Sequence, residues 1–404
     1  MDTNAFKELW AQRSFMRYWG YRITTTCANQ MMMVALGWQM YETTQSAWDL
    51  GLVGLYQFVP ALLLSLWAGH VADRLNRLHI ILATSLVQAG VAAILLGASE
   101  QQAISKELIL ALATVMGAVR AFQMPASQAL MPALVSEALL ARATAFNSSG
   151  MQVAIISGPA LGGLIFALGA SAVYATALVL MLLACALLWG LGYQRHVVTS
   201  EAATLRSVLA GVHFVWHNKL LLGAISLDLF AVLLGGATAL LPMFAKDILL
   251  VGPWGLGLLR AAPALGALAA SMWLTTHPLQ RRVGHVLLVA VAVFGCAMVL
   301  FALSTHFWLS MLALAISGAA DTVSVVIRMT LMQLETPDEM RGRVGAVNSI
   351  FIGASNELGE FESGAAAAWL GPVLATLVGG LGTILVAVMW LRLFPKLAQR
   401  DKLE

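Results

Sequence analysis

Polar residues in this chain are gathered into short clusters, and long apolar runs separate them. About twelve of the runs approach the roughly 20 residues that a helix needs to cross a bilayer. They lie near 15–41, 48–70, 78–98, 107–130, 146–168, 170–193, 219–245, 252–274, 285–304, 307–334, 344–366 and 370–394. Runs this apolar are expected to be helical, because hydrocarbon offers no partner to an unpaired backbone amide. The longest polar interruption, about Gln194 to Lys219, stands near the midpoint with six runs on either side. It holds RHVVTSEAATLRS and then LAGVHFVWHNK, whose pattern predicts an amphipathic surface helix carrying His213 and His217. The expected fold is an all-α membrane protein of twelve transmembrane helices in two pseudo-symmetric six-helix bundles, residues 1–193 and 219–404, joined by a loop at 194–218.

Composition removes the soluble alternatives. Of 404 residues, 60% are hydrophobic and 11% charged, and the mean hydropathy is +0.82, a balance foreign to soluble globular domains. Lys and Arg then set the expected orientation. With the N-terminus inside, the cytoplasmic segments hold Lys7, Arg13, Arg74, Arg77, Arg142, Arg195, Arg206, Lys219, Arg281, Arg282, Arg341, Arg343, Arg392, Lys396, Arg400 and Lys402. The outer loops hold only Lys106 and Lys246. Both termini and the midpoint loop are therefore expected in the cytoplasm, around a bacterial inner membrane. The net charge of +3 reflects this topology and points to no nucleic acid. Cys27, Cys185 and Cys296 fall in separate runs, with no metal spacing or disulfide pattern. The head MDTNAFKELWAQR is polar and mixed in charge, so the first span is expected to act as a signal-anchor.

Two six-span halves around a central loop are the plan of a rocker-switch transporter. Loop 2–3 carries GHVADRLNR, Gly69 to Arg77; Arg281-Arg282-Val283-Gly284-His285 in loop 8–9 and Arg341-Gly342-Arg343 in loop 10–11 match it weakly. Through Gly69, Asp73, Arg74 and Arg77, loop 2–3 resembles the signature of the major facilitator superfamily, with Asn76 where that family usually has glycine. Asparagine tolerates a left-handed turn better than most residues, so the turn is expected to survive. The resemblance implies a gating latch in which Asp73 sits near a helix end. Arg74 and Arg77, joined by Arg341 and Arg343, then bridge to neighbouring helix termini.

SGPALGG, Ser157 to Gly163, resembles the antiporter motif of drug and metabolite exporters through Gly158, Pro159, Gly162 and Gly163. Small residues let helices pack closely and proline bends a span, so packing alone also explains the motif. Arg120, in GAVRAFQMP, matches the buried arginine of proton-coupled members. LVSEALLARATAFNSS and the segment Thr336 to Gly359 resemble the exporter branch that includes enterobactin-type siderophore exporters and macrolide efflux pumps. The resemblance covers essentially the whole chain.

Charges deep in the spans carry the functional expectation, since each costs about 2.5–3.5 kcal/mol at the bilayer centre on insertion scales. At 1.5 Å per residue, Arg120 and Asp321 sit roughly 20 Å into their spans, Asp228 about 13 Å and Arg22 roughly 10 Å. Arg328 lies toward the inner end of span 10. In the resembled fold, spans 1, 4, 7 and 10 line the central cavity, and these five residues fall on them alone. Asp228 and Asp321 are expected to accept protons or cations, with Arg120 as charge partner. Structural pairing between helices is the alternative; Asp321 and Arg328 are seven apart, too far along one helix for easy contact.

Span 11 holds Asn356, Glu357, Glu360 and Glu362. One glutamate is expected to be protonated or paired with Arg260 of span 8. Three acids with an amide oxygen suit a hard cation, but nothing sets a ligand spacing. Met31, Met32 and Met33 point around the helix and cannot converge on a metal. Trp38, Tyr41, Tyr56 and Phe58 suit either a cavity for a flat organic molecule or packing. No nucleophile–base pair, phosphate-cradling loop or HExxH pattern suggests an enzyme. The expected function is export of a small amphipathic drug- or siderophore-class molecule by proton antiport, with no cofactor, in contact with membrane lipids and as a monomer. A lipid or lysophospholipid flippase, a cation-coupled facilitator and a receptor or sensor are the alternatives.

Overall fold

The computed structural model describes residues 8–191, 205–277, 279 and 281–402. Lys7, Arg195 and the side chains of Asp73 and Arg206, which enter the orientation and latch readings, lie outside the described set. Among the described residues there is no strand. The long helices are α1 (Arg13–Thr44), α2 (Ala47–Arg74), α3 (Arg77–Glu100), α4 (Lys106–Leu130), α5 (Glu137–Phe166), α6 (Ala170–Trp189), α7 (Leu205–His217), α8 (Lys219–Gly235), α9 (Gly252–Thr276), α10 (Val283–Leu303), α11 (Phe307–Glu335), α12 (Asp338–Leu370) and α13 (Pro372–Leu393). All but α7 coincide with the twelve apolar runs. Among the described residues, ten stretches are long and apolar enough to cross a membrane. The other two, α1 and α12, are the longest helices, at 32 and 33 residues, and are more polar.

Three boundaries differ from the hydrophobic pattern, each for a local reason. α5 starts at Glu137 rather than near 146, because Ser136 precedes it in extended conformation, Glu137 supplies a first-turn acid, and Leu and Ala favour the helix. α12 starts at Asp338, behind Pro337 and with Asp338 and Glu339 in its first turn. Arg341 and Arg343 are therefore helical residues, not loop residues. Span 7 breaks at Gly235-Gly236 and continues through a short turn, Pro242 and a π-helical turn at Phe244–Ile248.

The chain forms two compact units: unit 1, residues 1–39 and 59–202, and unit 2, residues 40–58 and 203–404. The expected halves put 40–58 in the first bundle, whereas this segment clusters with unit 2. Its contact with α12 supplies the reason. A Cβ on Gly51 would meet the Cα of Gly364 at 3.1 Å, so the start of α2 lies backbone to backbone on α12.

In unit 1, Tyr18, Tyr21, Ile81, Ala126, Leu130, Ala184 and Leu188 form a core between α1, α3, α4 and α6. In unit 2, Leu227, Ala231, Leu287, Val291, Ile327, Leu331, Ala387 and Trp390 do the same between α8, α10, α11 and α13. α7 is amphipathic as its pattern predicts. Val215 is buried with Ile225, Val344 and Val347, while His213 and His217 stay exposed, their rings 4.1 Å apart.

Candidate functional site

The deep charges of unit 2 converge. Asp228 projects from α8 and Arg328 from α11, and they form an ion pair at 2.6 Å with side chains only 8% and 7% exposed. Arg328 Nε also donates to Ser324 Oγ at 3.3 Å, one turn back on the same helix. Asp321 interacts electrostatically with both Asp228 and Arg328. The two carboxylates and Ser324 line a small cavity of about 10 Å³, close to the space one water needs, closed by Ala231, Val232, Val291 and Phe294. Two acids thus face one guanidinium in apolar surroundings. Asp228 takes its ion-pair partner, Arg328, from the neighbouring helix of the same unit.

The polar cluster of span 11 divides. Asn356 is exposed, whereas Glu357, Glu360 and Glu362 are half-buried. The charge of Glu360 acts on Arg260 of α9. Gly54, in the segment that joins unit 2, packs on this cluster; a Cβ there would meet Glu360 Oε2 at 3.0 Å. Near the start of the same segment, the Tyr41 hydroxyl donates to the Asp247 carboxylate and Lys246 Nζ stands 5.6 Å from the Tyr41 ring centroid. Among the described residues, no three His, Cys, Asp or Glu are gathered as for a metal ion.

Unit 1 presents a different chemistry. Gln123 of α4 donates to the Tyr21 hydroxyl at 2.9 Å and exchanges hydrogen bonds with Gln88 of α3. The Tyr18 hydroxyl donates to the Ser127 carbonyl at 2.7 Å. Next to this network, Arg22 is half-buried, and its Nε is sealed from solvent without a hydrogen-bond partner. Arg120 is exposed on α4. The SGPALGG segment does packing work: a Cβ on Gly158 would meet Gln30 Cβ at 2.7 Å, and one on Gly162 would meet Met31 Cα at 2.8 Å. Pro159 and Gly163 are buried beside them. Met31, Met32, Trp38 and Tyr41 are buried packing residues.

The latch residues of each unit make local contacts. Arg77 Nη1 donates to the Ala129 carbonyl in the last turn of α4 at 3.0 Å, a cation on a helix C-terminus. Arg74 is exposed, and a Cβ on Gly69 would meet nothing within 4 Å. Asn76 makes no left-handed turn: at φ −69° and ψ 116° it caps α3, its side chain accepting from the Leu78 amide at 2.9 Å. Arg341 pairs with Asp338 at 2.6 Å on the exposed first turns of α12, and Arg343 reaches Met340 Sδ at 3.5 Å.

Comparison with known proteins resolves the family. The model of the transmembrane secretion effectors matches residues 5–404. The chain belongs to that family. This transporter is 27% identical over 375 residues to the enterobactin exporter EntS of Citrobacter koseri, covering 91% of this chain and 88% of the relative. It is 25% identical over 399 residues to the multidrug efflux pump Tap of Mycolicibacterium fortuitum, covering 94% and 95%. Among solved structures, a nucleoside transporter, NupG, aligns at TM-score 0.75 with 14% identity, over 94% of this chain and 100% of that one. A bacterial homolog of the human lysosomal transporter Spinster aligns at TM-score 0.69 with 13% identity, over 96% of each chain. The fold is that of major facilitator transporters, and the chain is a multi-pass membrane transporter rather than an enzyme.

Reasoning from charges alone passed over several polar residues of this transporter. Gln88, Gln123, Tyr21, Asn147 and Ser324 are uncharged, yet they sit in apolar spans as the charges do. Reading amides and hydroxyls at depth as strictly as charges would have found them. An apolar groove of about 380 Å³ in unit 2, lined by Trp216, Phe230, Phe351, Trp390 and Phe394, also lacks a charge signal.

Proposed function

We propose that this transporter exports a small amphipathic organic molecule of drug or siderophore class in exchange for protons, by rocker-switch alternating access. The observation that carries the reading is the buried Arg328–Asp228 pair with Asp321 beside it. Two ionised carboxylates facing one guanidinium leave a net negative charge in apolar surroundings, and one proton neutralises it. A conformational change that shifts Arg328 between the two acids moves the acidic proton from one to the other. That exchange is the minimum needed to tie a proton to a transport step. The EntS and Tap relatives, an enterobactin exporter and a multidrug efflux pump, support the direction and the substrate class. The asymmetry of Lys and Arg supports both termini in the cytoplasm and residence in the bacterial inner membrane. In this reading the proton gradient is the driving force, no cofactor takes part, and the working unit is a monomer in its lipid annulus, with the Asp73–Arg77 segment, Arg341 and Arg343 as its latch.

The test is proton movement in everted vesicles, followed with a pH-sensitive dye across a panel of siderophores, macrolides and cationic dyes. Substrate-dependent collapse of an imposed gradient, absent in Asp321→Asn, is the expected result. Unchanged uphill transport by that variant would remove Asp321 from coupling. The apolar groove of unit 2 favours a second reading, a lipid flippase, which predicts no response to the panel and movement of a labelled lysophospholipid instead.

A further inference from the structure

The amphipathic helix α7 buries one apolar edge and leaves another uncovered. On the buried edge, Val215 packs with Ile225, Val344 and Val347, and a Cβ on Gly211 would meet the Arg343 carbonyl at 2.8 Å. The second edge, Leu209, Val212 and Trp216, follows the i, i+3, i+7 spacing of one helix face and stays exposed. Trp216 is 68% exposed. This edge borders the groove of about 380 Å³, which Val212 and Trp216 wall together with Phe230 of α8, Phe351 of α12, Trp390 of α13 and Phe394 just beyond it.

The groove follows single faces of its helices. On α8 it runs along Leu222, Ser226, Leu229 and Phe230, a stripe about 12 Å long. On α12 it runs along Val347 and Phe351. Two of its polar groups are already spent within the protein. The Ser226 hydroxyl donates to the Leu222 carbonyl, and Trp390 Nε1 donates to the Gly223 carbonyl at 3.0 Å. A molecule carrying many polar groups would leave them unmet in such a groove, whereas hydrocarbon would not.

Charge stands at one end. Each stripe is prolonged by a cation toward the start of its helix. Lys219 is three residues ahead of Leu222 and seven ahead of Ser226; Arg343 is four ahead of Val347 and eight ahead of Phe351. Both cations therefore lie on the groove-lining faces. They mark the same end of the groove, because Leu222 of α8 packs in one cluster with Val344 and Val347 of α12. Both are exposed. Among the described residues neither forms an ion pair with an acid: Asp338 is taken by Arg341 at 2.6 Å, and the Arg343 guanidinium meets the Met340 thioether at 3.5 Å.

We propose that this face of unit 2 binds one anionic phospholipid of the surrounding bilayer. An acyl chain lies in the groove beside Trp216, and the phosphate lies against Lys219 and Arg343. A guanidinium fork matches two phosphate oxygens, and an ammonium adds a point charge. Trp216 suits the boundary between chain and headgroup, since its ring is apolar and its N–H can stay hydrated. The lipid is a retained partner, not cargo. It fills the space that α7 leaves against α8, α12 and α13, whatever molecule the transporter exports.

The test is native mass spectrometry of the purified full-length protein, titrated with phosphatidylglycerol, phosphatidylcholine and glycerol 3-phosphate. Wild type is expected to retain one phosphatidylglycerol more tightly than phosphatidylcholine, and to take no glycerol 3-phosphate. Each cation near a membrane surface is worth roughly fivefold in affinity for an anionic lipid. Lys219→Gln combined with Arg343→Gln is therefore expected to weaken phosphatidylglycerol by roughly 25-fold and phosphatidylcholine little. Ser226→Phe fills the groove without removing a charge and should weaken both lipids. A wild type that holds the two lipids equally overturns the proposal whether or not any variant folds. Undiminished phosphatidylglycerol binding by a monodisperse double variant, or by a monodisperse Ser226→Phe, overturns it as well. Tight binding of glycerol 3-phosphate would make this a site for free phosphate esters, and a dimer that excludes lipid would give the groove to a second copy; either result overturns the proposal. Movement of fluorescent phosphatidylglycerol across reconstituted vesicles, blocked by Ser226→Phe, would make the lipid cargo and overturn its retention. None of these measurements reads proton exchange, so this proposal and the coupling reading fail separately.

Discussion

Unit 1 and unit 2 handle mid-membrane charge in opposite ways. Unit 2 sets opposite charges against one another: Arg328 meets Asp228, Asp321 stands within their field, and Glu360 acts on Arg260, whose Nε makes no hydrogen bond. In unit 1 the hydroxyls and amides near Arg22 along the chain bond to one another, and the acids of the long helices lie in terminal turns. A region that neutralises itself holds its geometry and can store a proton.

Stability measured by thermal unfolding in detergent tests this contrast most directly. Arg328→Ala is expected to lower stability by about 3–5 kcal/mol, because it strands a buried carboxylate. Arg22→Met should change it by less than about 1 kcal/mol, since no ion pair is broken and the methionine keeps the apolar stem. Similar losses in the two variants would break the comparison. The double variant Asp228→Leu with Arg328→Met sharpens it. Removing both charges should restore most of the lost stability, since well-packed apolar pairs commonly equal buried ion pairs, while gradient-driven export stays absent.

Smaller effects separate packing from signature. Gly158→Leu is expected to cost about 1–3 kcal/mol by overpacking against Gln30 and Cys27. Gly69→Ala should be neutral or stabilising by up to about 1 kcal/mol, because its surroundings are open and it lies within α2. Any slowing of transport by Gly69→Ala at unchanged stability would then report on the latch itself. Two helix caps are expected to show modest losses. Asn76→Ala in unit 1 and Asn218→Ala in unit 2 should each lose about 1 kcal/mol. The Asn218 side chain accepts from both Leu220 and Leu221, so its loss is expected to be the larger.

The spans were legible in the sequence because apolar length is a physical requirement of the bilayer and needs no knowledge of tertiary structure. The helical starts at Glu137 and Asp338 were not, because those first turns are polar and obey capping rather than hydropathy. Membership of Asp228, Asp321 and Arg328 in one site was half legible. Their depth marked them, but distance along α11 spoke only to Asp321 and Arg328. The Asp228 partnership depends on how α8 meets α11, which no spacing within one helix contains. Asn76 shows the same limit at small scale. The departure from glycine looked like a tolerated left-handed turn, and the residue is instead an extended cap.

The loops that open α3 and α10 are secured by segments at very different distances along the chain. Arg77 is held by the carbonyl of Ala129, only fifty-two residues later. Arg282 takes a left-handed conformation at φ 52°, and its amide reaches the Asp401 carboxylate, while the amides of Val283 and Gly284 reach the carbonyls of Asp401 and Arg400. During synthesis, unit 1 can fasten its loop once α4 has emerged. Unit 2 must wait until residue 401 leaves the ribosome, more than a hundred residues after α10 begins. Premature termination before that point would leave α10 inserted but unfastened, and quality control would meet it as an unfinished bundle.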